Sequence, residues 1–179
     1  MLRRALTGIE AILVAVGCAA LILATAIPAL TGWVPLTVVT GSMSPAMPAG
    51  SLVVVAPVDG ARARALDPGT VVAYLPEPDS DEIVTHRILT RSTASDGSTR
   101  YVLAGDANDE ADPVPVVPEQ IRGVRRYWVP GLGYAVSLVP PAAKGVARWA
   151  LVGGLVAYAL WQIAMIARDR DARRGRPGR

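Results

Sequence analysis

Six short apolar segments alternate with turn-forming residues across the middle of the chain. They cover residues 34–39, 52–56, 70–75, 83–89, 99–103 and 121–129. All are rich in Val, Ile, Thr and Tyr, side chains that suit a pleated, half-buried surface. Between them stand Pro45, Pro48-Ala49-Gly50, Asp67-Pro68-Gly69, Pro76-Glu77-Pro78-Asp79, Ser95-Asp96-Gly97 and Pro130-Gly131. Proline presets φ and glycine permits the left-handed region, so these clusters end strands. Strands this short at this spacing predict a small all-β sandwich or barrel. Period-two alternation along 83–89 puts Val84, His86 and Ile88 on one face and Thr85, Arg87 and Leu89 on the other.

Two longer apolar runs flank this middle. Residues 11–30 are almost unbroken in apolar character, preceded by Arg3 and Arg4 and followed by Trp33. As a helix, ~20 residues span about 30 Å, the thickness of a bilayer core. Ala24-Thr25-Ala26 could also serve as a secretory cleavage site, so a removed leader is the competing reading. Residues 149–166 form the second run, with Lys144 and Arg148 before it and an arginine-rich tail after it. A buried helix packed on the domain is the alternative there. Basic clusters at both ends place both termini on the cytoplasmic side by the positive-inside rule. The expected plan is an anchor in 1–33, an extracytoplasmic β-rich domain in 34–141, a second membrane helix in 142–167 and a basic tail in 168–179.

Composition narrows the chemistry. Half of the 179 residues are hydrophobic (51%), and the net charge of +3 sits largely in the tail. Such a charge does not argue for nucleic acid. Cys18 is the single cysteine, which excludes an intramolecular disulfide and a cysteine-rich metal site. His86 is the single histidine and Lys144 the single lysine, so any imidazole chemistry must use His86.

Three polar elements interrupt the β pattern. Thr40-Gly41-Ser42-Met43-Ser44-Pro45 lies between a strand and a proline-rich turn. A serine after glycine at a strand end is exposed near free backbone N–H groups, the two needs of an acyl-transfer nucleophile; an ordinary loop has the same look. Ile83-Val84-Thr85-His86-Arg87-Ile88 sends its histidine to the apolar face. Burial there disfavours the imidazolium, and a neutral imidazole beside a serine is the state of a general base. The bland reading is a structural core histidine. Gly105-Asp106-Ala107-Asn108-Asp109-Glu110-Ala111-Asp112 is an acidic loop. It reads as a solvated turn or, faintly, as a calcium loop, although Ala111 and Val117 replace the glycine and glutamate that an EF-hand needs.

The ordered set resembles the type I signal peptidases, in particular the endoplasmic-reticulum and archaeal kind also found in some Gram-positive bacteria. The family's Ser-Gly-Ser-Met-x-Pro box corresponds to residues 40–45, its Val-x-His-Arg strand to residues 84–87 and its Gly-Asp-x-Asn loop to residues 105–112. Residues 117–123 and 130–134 resemble the family's closing segments. Thr40 replaces the first serine of the box, Thr85 precedes the histidine, and Glu110-Ala111-Asp112 ends the loop. The resemblance implies a mainly β fold: a small all-β catalytic domain flanked by N- and C-terminal transmembrane helices. It assigns the nucleophile to Ser42, the base to His86 and the supporting carboxylate to Asp112, with Asp106 the other loop aspartate. Thr40 becomes an oxyanion candidate beside the Ser42 N–H.

No cofactor or metal is expected. The implied activity is cleavage of signal peptides from exported preproteins by a serine endopeptidase in the cell membrane. Implied partners are signal-peptide-bearing preproteins, membrane lipid and the secretion translocon, with no nucleic acid. The rivals are another serine peptidase such as a self-cleaving repressor, a catalytically inactive anchored interaction domain of the same fold, and a calcium-dependent adhesion domain.

Overall fold

The computed structural model describes residues 15–20, 22–77 and 82–138, with residues 145, 146, 150, 153, 154, 157, 158 and 161. Two compact units divide the chain. One comprises Ile22–Leu138, the other Met1–Leu21 with Val139–Arg179. In the second unit the described residues are helical, and the Tyr158 and Trp161 rings lie 5.8 Å apart. Among the described residues no helix is long and apolar enough to cross a membrane. Much of each expected membrane helix, including residues 11–14, 21 and most of 149–166, lies outside the described residues.

The first unit opens on a π-helical turn, Ile22–Ala26, followed by α1, Ile27–Thr31. Pro28 follows the π-helical turn by two residues, and Ala26 at the junction is itself helical, so its missing N–H removes a backbone hydrogen bond from a continuous helical path. Gly32 ends the helix at φ 72°, a conformation that favours glycine. The chain then enters β1 (Val34–Thr37).

Each of the six expected strands forms. After β1 come β2 (Leu52–Pro57), β3 (Val71–Tyr74), β4 (Val84–Thr93), β5 (Thr99–Ala104) and β6 (Ile121–Val129). They make one antiparallel sheet in the order β1-β2-β6-β3-β4-β5. The sequence predicted a sandwich or barrel; the structure has a single six-stranded sheet with apolar clusters on both faces. Short segments of chain take the place of a second sheet. Short helix α2 (Gly60–Arg64) brings Ala63 onto a cluster with Val72, Tyr74, Ile88, Tyr101 and Leu103. Residues 38–47 supply Val38, Met43 and Met47 to a cluster with Val53, Val55, Val71 and Ala73. β2 and β3 therefore bury both faces, which explains why their sequences read as continuous apolar runs rather than alternating ones.

A final short helix, α3 (Leu132–Ser137), seats the chain under the loop that follows Ser42. A Cβ on Gly133 would lie 2.6 Å from the Ser51 carbonyl oxygen and 2.7 Å from that of Gly50. Helices α2 and α3 are five and six residues long, too short to show a 3.6-residue period in the sequence.

Candidate active site

β4 carries the central pair of side chains. Its register sets Val72 opposite His86 and Val71 opposite Arg87, so His86 points to the face of Val72 and Arg87 to the other. His86 is 7% exposed and Ile88 1%, as the alternation predicts. Leu89 falls at an irregularity between Ile88 and Thr90 and is solvent-exposed.

The acidic loop serves both faces. Asp112 meets His86, with Oδ2 2.8 Å from Nδ1. Asp106 meets Arg87 instead, accepting from Nε at 2.8 Å and Nη2 at 2.7 Å. This two-pronged pairing is the geometry for which guanidinium and carboxylate are matched. The Arg87 hydrogen bond holds the Asp106 carboxyl below the usual carboxylate range, burial opposing it. Both aspartates named from the sequence are thus engaged, but only Asp112 touches the imidazole. The calcium alternative loses its donors, because the two carboxylates are directed to different partners. Among the described residues no group of three or more His, Cys, Asp or Glu is placed to hold a metal ion.

Tyr74 is a member of the site that no sequence motif singled out. Its hydroxyl donates to the same Asp112 Oδ2 at 2.8 Å. The ring is 4% exposed and tilts over His86 at 6.1 Å between centroids. Burial first, and then the Asp112 hydrogen bond and charge, push the phenol well above its ordinary range. An irregularity positions it: β6 pairs Gly123 with Ala73 but Ile121 with Tyr74, so Arg122 is an extra residue in the ladder. Such bulges re-aim side chains. The only signal available in the sequence was a tyrosine at the end of an apolar run.

Ser42 sits in the turn after β1, half-buried. Its carbonyl accepts from the Ala107 N–H at 2.8 Å, tying the turn to the acidic loop. Gly105 makes this approach possible. A Cβ there would lie 2.4 Å from the Ser42 carbonyl oxygen and 3.0 Å from Ser42 Cβ. Arg87 pairs with Ala104, so Gly105 leaves the ladder one step beyond that pair, alongside His86. The Ser42 hydroxyl lies 3.2 Å from the Thr40 hydroxyl. No hydrogen bond joins Ser42 to His86. Among the described residues the Ser42 N–H has no acceptor and is free to donate. Ser44 is followed by a cis peptide bond to Pro45.

A cleft of about 150 Å³ opens beside Ser42. One wall is Leu36, Thr37, Val38, Val39 and Thr40; the other is Glu82, Ile83, Val84 and Thr85. The cleft is thus lined by two nearly extended segments together with Ser42.

The site joins a hydroxyl at a turn, an adjacent unpaired N–H, and an imidazole bonded to a buried carboxylate: parts from which acyl-transfer catalysts are assembled. No protein-family model matches the chain. The chain is similar to signal peptidase I W of Bacillus subtilis, with 33% identity over 95 residues. The match takes in 53% of this chain and 47% of that protein, so the chain spans about half the length of its relative. The similarity supports a signal peptidase I relationship and a peptidase activity at that general level.

Proposed function

We propose that the protein is a membrane-anchored serine endopeptidase that removes signal peptides from exported preproteins. The observation that carries the proposal is the His86–Asp112 hydrogen bond, formed on the strand beside which Gly105 seats Ser42. The similarity to a signal peptidase supplies the substrate class.

In this reading Nδ1–H donates to Asp112, which leaves Nε2 as the acceptor for the serine proton. The Ser42 oxygen attacks the scissile carbonyl carbon as its proton passes to His86. The imidazolium then protonates the leaving amine as the peptide bond breaks. Water, activated by the same nitrogen, later releases the acyl group and restores the serine. The Ser42 N–H and the Thr40 hydroxyl receive the negative charge on the carbonyl oxygen. Proton transfer of this kind contributes about 10²–10⁴-fold, and one oxyanion donor about 10²–10³-fold. The Ser42 hydroxyl must turn from Thr40 toward Nε2, and catalytic hydrogen bonds often tighten only once substrate is bound.

An extended substrate would lie in the cleft between residues 36–40 and 82–85, with small side chains such as alanine directed into it. Segments 11–30 and 149–166 are proposed as two membrane passes with both termini cytoplasmic. Tethering holds Ser42 near the outer membrane surface, where a signal peptide's cleavage site emerges, and raises the effective concentration of the bond. Membrane lipid and the secretion translocon are the partners this placement implies.

The Thr40 contact favours one second reading, a catalytically inactive interaction domain, because the serine hydroxyl is occupied away from the imidazole. One experiment decides between them. The purified full chain in detergent is incubated with a preprotein, and the product's new N-terminus is read by mass spectrometry. Cleavage at the signal-peptide junction that is lost in Ser42→Ala and kept in Ser44→Ala supports the peptidase. Absence of cleavage by the unmodified chain sinks it.

A further inference from the structure

Three side chains converge at Asp112, and the mechanism above uses only two of them. Asp112 Oδ2 accepts from His86 Nδ1 and from the Tyr74 hydroxyl, each at 2.8 Å. All three groups are at least mostly buried: the His86 and Asp112 side chains are 9% and 14% exposed, and Tyr74 is a core residue.

We propose that Tyr74 is a positioning residue that locks the Asp112 carboxylate and thereby sets the tautomer of His86. This rests on the peptidase reading for its kinetic consequences. Its structural content stands apart from that reading.

A carboxylate on a loop turns about its Cα–Cβ and Cβ–Cγ bonds. The backbone fixes only one end of this one, through the Asp112 N–H to the Leu103 carbonyl at 2.8 Å. The phenol fixes the other end. Its ring is held in the cluster containing Val72, Ile88 and Leu103, so its hydroxyl is aimed by packing rather than by a mobile side chain. With Oδ2 so oriented, the Nδ1–H tautomer gains its acceptor and Nε2 keeps its lone pair.

The test uses Tyr74→Phe in the full chain, because phenylalanine keeps the packed ring and removes only the hydroxyl. His86 is the sole histidine, so one set of imidazole resonances reports on it without assignment. In ¹⁵N-labelled protein the unmodified chain should show the Nδ1–H tautomer. Tyr74→Phe should show a mixture of tautomers. In preprotein cleavage kcat should fall about tenfold with KM nearly constant, as expected for the loss of one hydrogen bond to a charged group. Adding Tyr74→Phe to Asp112→Asn should change neither readout further, since the phenol acts through the carboxylate. An unchanged tautomer in Tyr74→Phe overturns the proposal, as does an equal loss in the Asp112→Asn background. Failure of the peptidase reading shows itself differently: no cleavage by the unmodified chain, with the resonance changes still present.

Discussion

Gly105→Ala perturbs the site with a single methyl group. Gly105 is not among the glycines with positive φ, so alanine meets no backbone penalty there and only the new Cβ matters. That atom would lie 2.4 Å from the Ser42 carbonyl oxygen, 3.0 Å from Ser42 Cβ and 3.1 Å from Asn108 Cγ. An ordinary carbon–oxygen approach is about 3.3 Å, so the oxygen must retreat by roughly 0.9 Å. The Ala107 N–H bond to that oxygen, now 2.8 Å, would stretch to about 3.7 Å if the retreat carries it directly away, beyond hydrogen-bond range. The turn holding Ser42 then loses its tie to the acidic loop. A displacement of about 1 Å at a reacting atom costs on the order of 10²-fold in rate, whereas overpacking of this kind costs the fold about 1–3 kcal/mol. A 10²-fold loss of rate corresponds to about 2.7 kcal/mol, similar to the cost to the fold, so the rate must be compared on protein shown to be folded. The assay is kcat/KM for preprotein cleavage by the full chain, paired with a thermal melt followed by circular dichroism. A folded Gly105→Ala protein with unchanged kcat/KM would refute the reasoning, because it would show that this contact does not position Ser42.

Other consequences follow from the same geometry. Thr40→Val should lower kcat by about 10²-fold with little change in KM, and Thr40→Ser should restore it; equal activity in all three proteins removes Thr40 from the oxyanion site. Asp106→Asn should destabilise the fold by about 2 kcal/mol near neutral pH, the loss of a charged two-pronged pair. Because Arg87 depresses the folded carboxyl, that stabilisation is fully present above the unfolded value of about 4 and is lost as pH falls through the folded one. The melting-temperature gap between Asp106→Asn and the unmodified protein should accordingly close in acid, and a gap independent of pH contradicts the pairing. Gly133→Ala forces a methyl against the backbone of Gly50 and Ser51; a melting temperature several degrees lower is expected, and an unchanged one shows that this seat is not tight.

The strands were legible because each is a β-branched run cut off by a residue that cannot continue it, such as Pro57, Gly69 or Gly97. Their assembly into a single sheet was not. β2 and β3 are buried at every position but Pro57, and their continuous apolar runs imply that both faces are covered without showing by what. Here the covers are α2 and residues 38–47, whose patterns are too short to read. β4 extends to Thr93, past the expected end at residue 89, because an irregularity after Ile88 resets its pairing. Within the site, alternation alone oriented His86 correctly. The division of labour between Asp106 and Asp112 needed three dimensions, since both stand in one acidic stretch and only the register of β4 decides which partner each meets. Tyr74 was invisible for the same reason. It belongs to a different strand, and its aim depends on the extra residue Arg122 in β6.

His86 and Arg87 are neighbours in sequence, yet they leave β4 on opposite faces, and each takes one carboxylate from the same loop. The stretch from Asp106 to Asp112 is therefore a gauge of fixed length. Its two ends are pinned by partners whose separation is set by the strand, not by the loop. The number of residues between them, 107–111, is therefore matched to that separation. Removing one residue would lift a carboxylate off either the imidazole or the guanidinium, and adding one would leave slack at the oxygen that Tyr74 holds. An insertion that a surface turn of this composition would ordinarily absorb should here cost one of the two carboxylate contacts.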